Sequence, residues 1–398
     1  MVMRLAIACL ALAACDWTSF DTLSDETWAH SQQNPNLGST DYAVAIAGAA
    51  SNALGGELAV VSNDEPTYST LVFDPKGTTG VGSGSTIRLG NDAIDSLGDQ
   101  PILIADNSGD VALVAESMDA GHIAVVAGPV DAPTDMTFAS TAAGPDAAAF
   151  AGPELVIAAG AQLSVVDSSG AVTCAANDTG GAAIPGAGAI AADDTNAWVW
   201  TSTGALLSYS LSALGSTCQP PSASAPPTIS ATAAAFTTTG FSPGAGARVF
   251  LVPQSGTAKF AVLAAHADKS TAGQVFVVDL TAKTAVGSPL DADDLASAAI
   301  GSLGDSGKLY VALGFPDRSV GSTQSGLVEL HAIDPNSGTL NADADATFND
   351  DQPDNGQEFG RSVTTMEFNG ATILVVAAKS EIFAYYQTIL YSDTRPAQ

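Results

Sequence analysis

Positive charge is what this 398-residue chain has least of: 12 Lys and Arg stand against 42 Asp and Glu, a formal net charge of −30. A surface so poor in cations cannot displace the counterions of a phosphate backbone, so nucleic acid is excluded as a main partner. Glutamate is scarce as well, 9 against 33 aspartates. Helices use Glu in their interiors and Asp at caps and turns, so the imbalance speaks for turns and against long helices. With four cysteines there is no Cys-x-x-Cys pair, and the four histidines (30, 122, 266 and 331) include no His-Glu-x-x-His; the metal spacings these motifs provide are absent. No phosphate-cradling loop and no stripe of basic and aromatic residues occurs either. Apolar residues are plentiful at 46%, which excludes a disordered chain. The length suits two or three ordinary domains or one closed all-β ring.

The longest apolar run near the start, Leu5 to Ala14 behind Arg4, is too short to cross a bilayer and has the build of an export signal. Its ending, Leu12-Ala13-Ala14-Cys15, resembles the bacterial lipobox. That resemblance implies cleavage before Cys15 and lipidation of its thiol, giving a signal peptide over 1–14; plain secretion with a cut after Ala14 is the alternative. Asp16 resembles an inner-membrane retention signal of some bacteria, so inner versus outer membrane stays open. Without residues 1–14 the body keeps 11 basic against 42 acidic side chains. Anionic headgroups would repel it, and the acyl chains alone would attach it to the cell envelope. Residues 15–35 then read as a lipidated tether and 36–398 as the folded body. Only Cys174 and Cys218 remain in that body. They can form one disulfide in an oxidising compartment, or stand as two thiols.

A two-run unit recurs along the chain, its first runs starting at residues 57, 111, 154, 197, 260, 309 and 373. Each first run is a short, continuous apolar segment such as Glu154-Leu-Val-Ile-Ala, followed by a second such as Leu163-Ser-Val-Val-Asp. Uninterrupted β-branched runs suit strands buried on both faces, and the closing Asp suits a turn. The spacing matches the 40–50 residues of a propeller blade with the excess in loops, which predicts an all-β, seven-bladed β-propeller of four-stranded antiparallel blades. The proline-rich stretch 220–227 reads as an extended loop between blades.

The last copy carries Phe359-Gly360-Arg361-Ser362-Val363 ahead of Phe368-Asn369-Gly370 and Ile373-Leu-Val-Val-Ala377. The sixth has Gly304-Asp305, then Gly307-Lys-Leu-Tyr-Val-Ala-Leu-Gly-Phe-Pro316. These segments resemble the FG-GAP repeat of integrin α-subunit propellers and bacterial surface proteins, over residues 36–392. The resemblance implies adhesion or binding, with a protein or polysaccharide ligand, and calcium in some blade loops; the chain is expected to be a monomer.

No calcium loop is complete here. Asp106-Asn-Ser-Gly-Asp110 lacks the alternating spacing, and Asp291, Asp293 and Asp294 lack the glycine. The densest acidic loop holds Asp343, Asp345, Asp350, Asp351 and Asp354; each reads as a solvated turn residue first and as a calcium ligand second. Gly240-Phe-Ser-Pro-Gly244 matches the Gly-x-Ser-x-Gly elbow in letters, but a turn-rich setting is not the strand-to-helix junction that elbow needs. Trp198 and Trp200 alternate with Val199 and so share a strand face, where inter-blade packing competes with sugar stacking. The sequence therefore predicts a non-catalytic, lipid-anchored binding module without a required cofactor. The alternative is an envelope-assembly scaffold like the propeller lipoprotein of the β-barrel assembly machinery.

Overall fold

The computed structural model describes residues 102–378 with their side chains, short gaps apart, and describes the strands between 28 and 96 and at 381–386 by backbone pairing alone. Every two-run unit of the sequence is an antiparallel pair, the middle strands of its sheet. In the blade 147–177 the order is Ala147–Ala151, Glu154–Ala159, Gln162–Asp167, Gly170–Asn177, from inner to outer edge. Neighbouring sheets meet along their first strands, which are short and rich in Ala and Gly, such as Ala187–Ala192 and Ser297–Ser302. Small side chains there let the inner edges crowd around an axis.

The middle strands are apolar throughout because both faces are covered. In Asn196–Thr201, Ala197 and Val199 enter the core shared with the blade 147–177, while Trp198 and Trp200 enter the core shared with the blade 248–291. Trp200 is fully buried and meets Phe276 edge-on at 6.3 Å. The same division repeats from blade to blade, so apolar layers lie between sheets and not beneath them.

The expected seven-bladed propeller of four-stranded antiparallel blades is corrected on two counts. The blades described in full number five, between Ile102 and Phe348. Nor are they uniform: three of these five have five strands, one of them joined in parallel. Two of the extra strands share one neighbour with a second short strand, and in one case the break holds a proline, which has no N–H for a ladder. Ile94–Ser96 and Ile102–Ala105 both pair with Asp110–Ser117. Likewise Thr284–Ala285 and Leu290–Asp291 both pair with Gln274–Asp279, with Pro289 in the break. The third arises from an excursion of the neighbouring blade. After Ala205–Ser210 the chain forms a short helix, Leu211–Thr217, capped by the Ser210 hydroxyl, and crosses to the outer edge of the blade 147–177. There Thr173 and Gln219 exchange backbone hydrogen bonds, and Thr228–Ser230 runs parallel to Ala175–Asn177. Residues the spacing assigned to loops thus extend and cover sheets. An edge so covered no longer offers free N–H and C=O groups to other chains.

Besides a two-stranded hairpin, Ser319–Val320 with Thr323–Gln324, two four-stranded sheets remain. One comprises Ala43–Ala49, Gly56–Ser62, Thr67–Phe73 and Thr86–Arg88. The other comprises Ser362–Phe368, Ala371–Ala377 and Glu381–Tyr386 with Trp28–Gln33 as its outer strand. Its register runs from Trp28 opposite Tyr386 to Gln33 opposite Glu381, so the first and last described strands share a sheet. The strand Trp28–Gln33 lies inside the segment read as a tether.

Candidate functional site

Loops join these strands, and their aspartates follow one local rule. Asp167 ends a third strand, and its Oδ1 accepts the N–H groups of Ser169 (2.7 Å) and Gly170 (3.2 Å). Asp279 receives those of Thr281 and Ala282, and Asp334 those of Asn336 and the Ser337 hydroxyl. These are Asx turns, in which a carboxylate replaces the backbone partner that the turn lacks. The Ser169 hydroxyl and N–H hold Asp167 below the usual carboxylate range; for Asp334 the Asn336 N–H and Ser337 hydroxyl do the same.

Asp193 extends the rule across a blade boundary. Its Oδ1 accepts from the N–H and hydroxyl of Thr195 and the N–H of Asn196, and its Oδ2 from the Trp198 indole (3.2 Å). The same Oδ2 faces the N–H of Ala258 in the next blade at 3.4 Å. Burial pushes this carboxyl up, but the donors outweigh it and the net shift is downward. On the other side the Tyr209 hydroxyl donates to the Asn177 carbonyl at 2.9 Å. Burial and nearby Asp178 raise that phenol and keep it a donor.

The Phe359-Gly360 motif sits where the blade 297–348 meets the sheet of Ser362–Phe368. Phe359 is fully buried in the core between them, and its N–H donates to the Ser325 carbonyl at 2.8 Å. Gly360 has φ +90, and a Cβ there would stand 2.7 Å from the Leu327 carbonyl oxygen. Its own carbonyl accepts from the Ser297 hydroxyl at 2.8 Å, and the Thr365 hydroxyl donates to the Ile300 carbonyl at 2.9 Å. The motif is a seat for one blade on the next: an aromatic plug followed by a position only glycine fits.

Above that seat is a charged cluster that the sequence did not reveal. Arg318 Nη1 donates to Glu329 Oε1 at 2.9 Å, its Nη2 reaches the Asp293 carbonyl at 3.2 Å, and its guanidinium lies 3.5 Å over the Phe315 ring. His331, almost fully buried, has Nδ1 3.0 Å from the Asn341 carbonyl oxygen and Nε2 3.5 Å from Glu329 Oε2. His331 holds Glu329 below the ordinary range, burial opposes it, and Arg318 adds to the downward shift. Glu329 and His331 are two apart on one strand face, but Arg318 comes from the preceding loop, so no spacing announces the group.

Of the acidic loop, Asp343 is an exposed turn residue. Asp345 accepts the Ala332 N–H at 2.7 Å and the Asn341 side-chain amide at 3.0 Å, which ties the loop to its strand. Asp350, Asp351 and Asp354 lie outside the described residues, as do Cys15 and Ser242. Among the described residues no group of three or more His, Cys, Asp or Glu stands together as metal ligands. Cys174 and Cys218 are joined by a disulfide, Cα to Cα 4.8 Å, which fastens the excursion to the outer strand it covers. A sequence signal existed for the bracing carboxylates, an Asp followed within two or three residues by Ser, Thr, Asn or Gly.

Four- and five-stranded sheets packed face to face around their first strands define a β-propeller. Solved structures are similar in fold. The WD40 β-propeller domain of Doa1 is 12% identical, with a TM-score of 0.51 over 90% of this chain and 98% of that one. A chain of the mitotic checkpoint complex is 10% identical, with a TM-score of 0.53 over 90% and 93%. No protein-family model matches the chain, and no curated protein matches it by sequence.

Proposed function

We propose that the protein is an exported, lipid-anchored propeller of the FG-GAP type that binds a partner at the bacterial cell envelope and performs no catalysis. The observation that carries this reading is the use of the loop carboxylates. Asp167, Asp193, Asp279, Asp334 and Asp345 brace turns, which makes the loops stiff supports for recognition. Preorganised loops lose little entropy when a partner docks. The buried Phe359 and the constrained Gly360 support the FG-GAP comparison by giving those two letters a packing role. A net charge of −30 favours cationic partners or surfaces bridged by cations.

The test has two parts. Radiolabelled palmitate should enter the wild-type chain and not Cys15→Ala; labelling of neither removes the anchor from the reading. Crosslinking in living cells, with purification of the tagged protein, should then recover a surface protein or glycan. Recovery of outer-membrane barrel-assembly proteins would replace the binding module with the assembly scaffold.

A further inference from the structure

Side chains alternate along the strand Leu327–Ile333, so Leu327, Glu329, His331 and Ile333 share the face turned to the blade 248–291. His331 is 2% exposed there, and its two nitrogens meet different groups. Nδ1 stands 3.0 Å from the Asn341 carbonyl oxygen, which only accepts, so Nδ1 carries a hydrogen whatever the charge of the ring. Nε2 is therefore the nitrogen that gains or loses a proton. It is sealed from solvent without a hydrogen bond, and it faces Glu329 Oε2 at 3.5 Å. In the neutral ring two lone pairs oppose each other across that gap. In the imidazolium an N–H points at a carboxylate.

His331 and Arg318 hold Glu329 below the ordinary carboxylate range, so it is ionised wherever a histidine titrates. The strands on either side, Leu309–Phe315 and Ala346–Phe348, carry no charged residue, and Tyr310 turns into the opposite core. From the loop 334–345, Asp345 is bonded to the Ala332 N–H and the Asn341 amide, Asp334 braces its own turn, and Asp343 is exposed. Across the layer the blade 248–291 presents apolar Val275 and Val277. Its carboxylates Asp279 and Asp291 are bonded to their own turn and to Gln274, and Asp293 gives its carbonyl to Arg318. The charges that act on Glu329 are thus His331 and Arg318.

Arg318 is also the root of the hairpin 319–324. Its carbonyl accepts the Gly326 N–H at 2.9 Å, while its guanidinium lies over Phe315 and reaches Glu329 Oε1. Whatever fixes Glu329 fixes Arg318, and through it the base of the hairpin. We propose that Arg318, Glu329 and His331 form a pH-sensitive latch: a proton on His331 Nε2 makes a charge-assisted hydrogen bond to Glu329, whose two oxygens are then both held, one by His331 and one by Arg318. The latch is closed below the histidine range and opens as pH rises through it. It fails again in strong acid, where Glu329 itself takes a proton.

The chain has four histidines, so 15N–1H NMR of the intact protein can follow the His331 ring from about pH 5 to about pH 8. Nδ1 should keep its proton throughout and Nε2 should lose one. Hydrogen exchange at the Gly326 amide, corrected for intrinsic exchange, should be slower by at least about threefold at the acid end and follow the same midpoint. His331→Gln should abolish that difference while its melting curve stays cooperative. Glu329→Gln should abolish it as well and serves if the first variant does not fold. A ring that does not titrate in this range, Gly326 protection that ignores the titration, or a pH dependence that survives either substitution would overturn the proposal.

Discussion

Replacing Cys174 and Cys218 together by alanine removes the covalent link between the outer edge of one blade and the excursion of the next. The cysteines are 44 residues apart, and closing a loop of that length in the unfolded chain corresponds to about 4 kcal/mol at 25 °C. Spread over the unfolding entropy of 398 residues, that is a fall in melting temperature of about 5 °C. The loss should also be local. Without the link, the excursion is held by the Thr173–Gln219 pair, the Ala175 N–H to Pro227 bond and the parallel strand. Urea unfolding of the wild type, the double variant and the wild type under reductant gives the global number, and hydrogen exchange at Thr173, Ala175 and Gln219 gives the local one. The reduced wild type should match the double variant. If unfolding free energies agree within about 0.5 kcal/mol and exchange at those three amides is unchanged, the link does not restrain the chain and the reasoning fails.

Gly360→Ala should destabilise by more than about 2 kcal/mol, because positive φ and a collision with the Leu327 carbonyl combine. Gly356→Ala, at φ +74 with open space around it, should lose only the roughly 1–2 kcal/mol of the left-handed backbone; equal losses in thermal melts would remove the packing argument. Asp193 and Glu329 both titrate below their unfolded values, so the stability they contribute is present above the ordinary carboxylate range, near pH 4, and is lost as pH falls through the folded values. Asp193→Ala should therefore cost about 1–3 kcal/mol at pH 7 and flatten the acid limb of the stability curve; an unchanged limb would contradict the assignment. Asp146 has the opposite sign: burial raises it against the pull of the Gly160 and Ala187 N–H groups, and its charge opposes folding as pH rises through the folded value. Asp146→Asn should raise the unfolding midpoint at pH 7 and leave it nearly unchanged at pH 3.

The middle strands of the blades described with side chains were legible because both their faces are buried, which leaves an unbroken apolar run such as Phe260–Ala265. Inner and outer strands were not. Ala147–Ala151 and Ser297–Ser302 are built of small residues without periodicity, and Thr284–Ala285 is only two residues long. Pairing holds them in place, and local propensity contributes little. The regular spacing suggested uniform blades, whereas the strand ahead of Asp110–Ser117 and the one after Gln274–Asp279 are each split in two, the latter around Pro289, and the residues after Ser210 cross to another sheet. The closing Asp of the repeat was visible as a turn residue; that Asp193 also reaches Ala258, 65 residues on, was not. Arg318, Glu329 and His331 meet only because a loop returns over their strand.

The pairing of Trp28–Gln33 with Glu381–Tyr386 has a consequence for the order of assembly. The first described strand is bonded to the last described strand, so this sheet stays incomplete until nearly all of the residues between them have been synthesised. Loop closure over that distance adds little free energy, since the entropy grows only with the logarithm of length. Time is the larger burden, because pairing between distant segments is slow. Throughout that interval Trp28–Gln33 lacks its partner and exposes a strand edge to any chain nearby. A helper that shields this hexapeptide until Tyr386 arrives would raise the yield of closed rings more than one acting on any middle strand.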